Sequence, residues 1–533
     1  MASLGADLLL LAWVAISILW PGCAICHRWT RLRGIELFVY GAAVGMVLQA
    51  FLGLALTASR GARYPVVIVG VLATLAAGAY LWRSGAARAW WRDLRLSLRL
   101  SLALWVLFAA TCVAVTHLAV RLPAELPDGR YIFKENTLNV RIQYLTTLPA
   151  DNLIPYLVTE YFLRRISFRQ EHPILPGQEV GNRTILMSLV ALPYRAALEM
   201  PRRGPRPLGT FRYVQAEWPD VAKIYRDDLY RQVLVVGIFL NSLLLPGLLA
   251  VFSRVARASR ILPCAAVLYL TNPYLITQTI FIWPKVLAGF FLLLAWHSIR
   301  RRHHPAVVGA GAALACHAHP LAGMFTLGLG LFYLAQVGRG RGGWREVVIF
   351  GGTVGLLLAP WFLWTQLFLQ LPSDLLWQNV AGPGTEVALA STLDFIWVRF
   401  WNFFHLLAPM MFFVYPFNTE AVVDAFQHCL PGAVGLILIG PALVQAARSV
   451  RPGALKWCAL LGPLVVLVVI FSMQALPILH GYQVAVGGLL FFGVVALARG
   501  CSSRVFWSLC ALQLLVNVGV LALRAYDRGW HIP

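Results

Sequence analysis

Acidic side chains are scarce in this chain. Its 533 residues include 22 Asp and Glu against 44 Lys and Arg, a formal charge of +22. Lysine is scarcer still: Lys134, Lys223, Lys285 and Lys456 stand against 40 Arg. No Asp or Glu occurs from Leu229 to Arg345, so carboxylate chemistry must sit elsewhere. No P-loop lysine followed by Ser or Thr is present; the Gly-rich "GRGRGG" (338–343) reads as a solvated turn. No internal repeat is evident. The alternating segments of about ten residues that mark a membrane β-barrel are absent as well.

Apolar residues are abundant. They make up 59% of the chain, and mean hydropathy is +0.71. A soluble domain averages about 45–50%. Apolar runs of about 20 residues recur from end to end, each enough to cross ~30 Å of hydrocarbon. The chain reads as an all-α polytopic membrane protein.

The positive charge does not point to nucleic acid. It is broken into short clusters between apolar runs, such as "HRWTRLRG", "RRRHH" and "GRGRGGWR". Loops on the cytoplasmic side of a membrane have this form. Spans are expected near 5–25, 36–57, 65–82, 100–121, 232–253, 261–278, 284–299, 305–319, 321–337, 346–368, 429–447, 455–473, 481–498 and 504–523. With about 14 spans, the basic loops fall on one side and both termini face outward.

Two long segments, 122–231 and 369–428, then lie on the outer side. They hold 12 and 5 of the 22 acids, so most carboxylates are placed outside the spans. The apolar stretch 185–198 contains Pro193 and is expected to lie along the membrane surface. The aromatic stretch 394–415 suits the headgroup zone in the same way.

Nine cysteines are present; Cys112, Cys264, Cys316, Cys458 and Cys510 lie in or near apolar runs, as small hydrophobes do. "CAICH" (23–27) matches the haem-attachment spacing, but at a cytoplasmic helix end where haem attachment is not expected.

The first outer segment opens with Asp128, held between Pro127 and Gly129, followed by Tyr131, Glu135, Asp151, Asn152 and Glu160. A carboxylate beside the membrane surface can remove a proton from a hydroxyl acceptor. From there, "LVVGIFLNSLLLPGLLAVFSRVARASR", "ILPCAAVLYLTNPYLITQTIFIWPKVLAGFFLLLAW", "HAHPLAGMF" and "LAPWFLW" give a layout that resembles the GT-C superfamily of integral membrane glycosyltransferases. The similarity extends to bacterial aminoarabinose transferase and protein O-mannosyltransferase relatives. It covers about 100–525, a GT-C-like transmembrane module; 1–99, with three spans, lies outside it.

The resemblance implies a polyprenyl-phosphate sugar as donor and a glycan, lipid or protein hydroxyl as acceptor, at the outer face of a bacterial inner membrane. It implies that an acid of the first outer segment is the base, a role that falls on Asp128, with Glu135 and Asp151 as substitutes. Many members carry a paired acid there; this chain has "PDGR". A single displacement with inversion needs one base and a cation for the departing phosphate. Lys285, His317, His319, Arg399 and His405 are the candidates for the phosphate, and His480 is a weaker one. Besides holding phosphate, Lys285 could be a snorkelling lysine, Arg399 an interface anchor. His317 and His319 could pack, or share a divalent metal. No cofactor is assigned from the sequence, and a divalent metal stays open. A flippase or transporter of lipid-linked glycans, or a polysaccharide polymerase or ligase, are the alternatives.

Overall fold

The computed structural model describes residues 4–59, 63–117, 153–169, 184–197, 227–253, 260–371 and 476–527, with single positions 180, 224, 393, 396, 438 and 444. Among them every regular element is a helix. Seven helices are long and apolar enough to cross a membrane: Leu4–Trp29, Gly34–Ala58, Arg63–Arg83, Leu96–Val115, Leu229–Phe252, Trp344–Phe368 and Ser503–Ala522. These fall on seven of the expected spans. The expected span at 455–473 lies outside the described residues, as does that at 429–447 apart from positions 438 and 444. So do the outer segment 369–428, apart from its first residues and two single positions, and most of 122–231.

The chain divides into two compact units. The first comprises 1–250, 276–284 and 524–533; the second comprises 251–275 and 285–523.

Unit 1 is built on α1 (Leu4–Trp29) and α2 (Gly34–Ala58), which pack antiparallel. Their contact is set by small residues. A Cβ on Gly45 would stand 1.8 Å from the Ile18 carbonyl oxygen, so the backbones meet with no side chain between them. Close approach through small residues is how helices associate where lipid supplies no hydrophobic drive. Gln49 donates from Nε2 to the Ser17 carbonyl at 2.9 Å across the same seam. The "CAICH" motif is part of this packing. Cys23 and Cys26 are free thiols inside α1, and Cys23 Sγ approaches the Leu37 carbonyl at 3.7 Å.

Then follow α3 (Arg63–Arg83), α4 (Ala86–Asp93) and α5 (Leu96–Val115). The two basic loops of this unit lie at the same end. Trp90 Nε1 of α4 donates to the Gly34 carbonyl at the start of α2, 2.8 Å away. Arg88 stacks over Trp82 and Arg99 over Trp91, at 5.6 and 5.3 Å. Arginine and tryptophan side by side form an interfacial belt.

At the opposite end stand α6 (Ile154–Arg164), α7 (Leu186–Ala197) and the start of α8 (Asp227–Ser242), which runs on past Leu243 into α9 (Leu244–Phe252) as one span, Leu229–Phe252. Arg63 donates to the Leu163 carbonyl and Arg165 Nη2 to the Ser59 carbonyl, joining the α2–α3 turn to the end of α6.

The expectation that 185–198 lies along the membrane surface is not met. In α7, Leu186 through Ala196 are all buried. Its Leu189 carbonyl faces Gly53, and Tyr194 Oη is 2.7 Å from Ser17 Oγ. Ser17 lies ten residues beyond Asp7, about 15 Å along α1 at 1.5 Å per residue. α7 therefore descends against α1 and α2. Its apolar residues are covered by protein on every side, which a one-faced surface helix does not need.

Unit 2 contains most of α10 to α17. These are α10 (Ile261–Thr271), α11 (Pro273–Ile280), α12 (Lys285–Arg300), α13 (Pro305–Ala318), α14 (Ala322–Gly338), α15 (Trp344–Phe362), α16 (Leu476–Gly500) and α17 (Ser503–Asp527). The expected span 261–278 is broken. Asn272 ends α10 and its Oδ1 accepts from Leu275 N at 3.1 Å, capping α11, whose first residue is Pro273. The expected spans near 284–299, 305–319 and 321–337 form helices of 16, 14 and 17 residues, shorter than a full crossing. α15 runs on into a π-helical turn, Leu363–Phe368, just after Pro360. A proline withdraws one backbone donor, and the helix re-registers beyond it. Within this unit, Asn517 Nδ2 of α17 donates to the Leu268 carbonyl and the Thr271 hydroxyl of α10, at 3.2 and 3.1 Å.

Candidate functional site

The three proposed bases, Asp128, Glu135 and Asp151, lie outside the described residues, as do Arg399 and His405. What is described is the frame on which the first outer segment hangs. It leaves α5 at Val115 and returns into α8 at Asp227.

That frame is closed by a charged cluster that the sequence reading passed over. Asp7 in the first turn of α1 accepts from Arg231 of α8, Nη2 at 2.5 Å and Nε at 3.1 Å. His117, two residues past α5, brings Nε2 to 2.9 Å from Asp7 Oδ2. Arg231 also donates from Nη1 to the Thr116 carbonyl at 3.4 Å. Three helix ends are therefore held at one place. Asp7 and Arg231 are buried within helices that pass as spans. The signal was available: an ionisable residue inside an apolar run marks a site by default. Asp7 lies inside the expected span 5–25, and Arg231 stands one residue before another.

A second cluster is buried, and it holds one of the acids of 122–231. Glu160 of α6 is fully buried. Its carboxylate accepts from Arg195 Nε of α7 at 2.6 Å and from Arg164 Nε, one turn along α6, at 2.8 Å. Arg164 and Tyr156 both donate to the Ile224 carbonyl, at 3.1 Å each. Glu160 is a packing counter-ion and does not face solvent.

Lys285 is the first residue of α12 and is 1% exposed. A snorkelling lysine would leave its ammonium in water, so that alternative is overturned. The turn before it is built. α11 and α12 are bent by 103° at the break 281–284, an angle found in broken spans and re-entrant loops. Asn241 Nδ2 of α8 faces the carbonyls of Gln278, Thr279 and Phe281 at 3.2–3.4 Å, collecting acceptors that α11 leaves open at its end. Ile282 sits against Gly237, where a Cβ would lie 2.5 Å from its Cγ2. Phe281 and Ile282 of "FIWPK" are thus packed against α8 within unit 1.

His317 and His319 do not converge. His317 Nε2 donates to the Leu357 carbonyl of α15 at 2.9 Å. His319, buried at the end of α13, accepts from Leu321 N through Nδ1 at 3.2 Å, folding the α13–α14 turn. His317 ties α13 to the side of α15, and His319 serves a helix end. Among the described residues no group of three His, Cys, Asp or Glu could hold a metal. His480 lies within α16.

No family model matches this chain, and no curated protein or solved structure matches it.

Proposed function

We propose that the protein is a glycosyltransferase of GT-C-like layout, moving a sugar from a polyprenyl-phosphate donor to a hydroxyl acceptor at the outer face of the membrane. The observation that supports the reading is the cluster of Asp7, His117 and Arg231. It pins the exit and the return of the acid-rich segment at one end of unit 1, the end opposite the Arg-rich loops. The positive-inside rule makes the Arg-rich end cytoplasmic. Asp128 then stands about eleven residues past the pinned end, on the outer side, as the base for the acceptor hydroxyl. Lys285, buried at the start of α12, supplies positive charge for the departing phosphate. Inversion follows from a single displacement. The membrane is the bacterial inner membrane, and the acceptor is a glycan, lipid or protein.

The test uses purified full-length protein and radiolabelled short-chain polyprenyl-phosphate sugars. Wild type should transfer label, and Asp128→Asn should be slower by about 10²–10⁴-fold. Loss in Glu135→Gln or Asp151→Asn instead would reassign the base, and full activity in all three variants would refute the mechanism.

The 103° break at 281–284 favours a second reading, since transporters also bind at broken helices. Lipid-linked glycan crossing a vesicle membrane with its sugar–phosphate bond intact would select it.

A further inference from the structure

His117 stands where the acid-rich segment begins, and its Nε2 has two neighbours with opposite demands. Asp7 Oδ2 is 2.9 Å away and Arg231 Nη2 is 2.5 Å away. A carboxylate oxygen only accepts; a guanidinium nitrogen only donates. One ring nitrogen cannot satisfy both at once. Protonated, Nε2 donates to Asp7. Bare, it accepts from Arg231. Each state finds a partner without moving a heavy atom, so gaining or losing the proton costs little reorganisation. The Asp7–Arg231 pair is complete by itself and gives no account of an imidazole held at both. Facing the ring are Asp7 from α1 and Arg231 from α8, while α5 is followed by Thr116, whose carbonyl takes Arg231 Nη1. Asp7 and Arg231 are buried, whereas the His117 side chain keeps 22% of its exposure, which leaves it a route to water.

We propose that these three residues form a proton-exchange centre at the α5–α8 end of unit 1. His117 gains and loses the proton; Asp7 and Arg231 are its positioning residues. The centre rests on the transferase reading only for the source of that proton. In the balanced step, the acceptor O–H bond breaks and its electron pair forms the bond to the sugar's anomeric carbon. The bond from that carbon to the lipid phosphate oxygen breaks, and its pair stays on the phosphate. The proton taken by the base is passed on to His117 and from there to bulk water.

The experiment is nitrogen NMR on full-length protein in nanodiscs, with ring-labelled histidine. His117→Gln identifies the His117 signal among the 12 histidines. In wild type, Nε2 should change from its protonated to its bare state between about pH 5 and 9. Asp7→Asn should lower the proton affinity about tenfold and Arg231→Gln should raise it about tenfold, one pH unit each way. A packing role would move neither in this paired fashion. An Nε2 that stays in one state throughout overturns the proposal from wild type alone, whether or not the variants fold. Equal shifts of one sign in both variants also overturn it. A wild type that titrates as stated but transfers no sugar sinks the transferase reading and leaves the centre standing; an active transferase with a silent His117 does the reverse.

Discussion

Glu160 and Arg195, 35 residues apart, meet at 2.6 Å in the interior of unit 1, neither more than 2% exposed. The pair joins α6 to α7 and so fixes how the helices of the first outer segment enter the bundle. Removing one partner of a buried pair leaves the other charge uncompensated, at about 3–5 kcal/mol. Glu160→Gln should therefore lower the unfolding midpoint strongly in detergent. Double replacement of Glu160 and Arg195 by Gln and Met should recover part of that loss. A single variant as stable as wild type would show that the pair does not hold α7.

Gly45→Ala tests the α1–α2 seam. The added methyl meets the Ile18 carbonyl, a backbone atom that cannot swing aside. Overpacking costs about 1–3 kcal/mol where neighbours can shift, and more is expected here. Differential scanning fluorimetry of the purified variant reads the effect. Gly488→Ala, where a Cβ meets nothing within 4 Å, is the control.

His303 carries a pH dependence. Burial, and then the neighbouring His297, hold its imidazole below the ordinary value. The folded chain thus binds fewer protons than the unfolded one between that lowered value and about 6.5. Stability from this group is complete above about 6.5 and is lost as pH falls toward the folded value. The difference in melting midpoint between about pH 7.5 and 5.5 should shrink in His303→Gln. An unchanged difference assigns the pH dependence to other groups.

Lys285→Met keeps the bulk and removes the charge from the α11–α12 turn. If the ammonium meets the donor phosphate, donor binding should weaken by about tenfold or more, the size of one charge-assisted hydrogen bond. Equilibrium binding of a polyprenyl-phosphate analogue measures it. Unchanged affinity in a folded variant would make Lys285 a structural cation, leaving Arg399 and His405 as the next to replace.

Sidedness is checked by labelling. In a background without native cysteines, Ser59→Cys should react with an impermeant maleimide on intact cells, and Arg31→Cys only after lysis. The reverse pattern would turn the Arg-rich end outward and place Asp128 on the wrong side for the proposed donor.

Sequence alone determined the solvent of this protein and much of its helical layout. Apolar runs of spanning length are a one-dimensional property: each must satisfy its own backbone hydrogen bonds in lipid, so length and composition suffice to find them. The Arg-rich loops and the concentration of acids after α5 were legible for the same reason, because charge is expensive in hydrocarbon wherever it falls. The Asn272–Pro273 break was not foreseen: the expected span 261–278 runs straight through it, although Asn before Pro is a pair that caps and starts a helix. What only the tertiary structure decided is which charges are buried and with whom. Asp7 reads as an acid at a helix start and Arg231 as a cation at another; 224 residues of chain separate them. Glu160 reads like its acidic neighbours until Arg195 encloses it, and the apolar face of α7 reads as a surface helix until α1 and α2 cover it. Pairing across such distances depends on how helices pack, through close contacts such as Gly45 on Ile18, and packing is a relation between segments that no single segment carries.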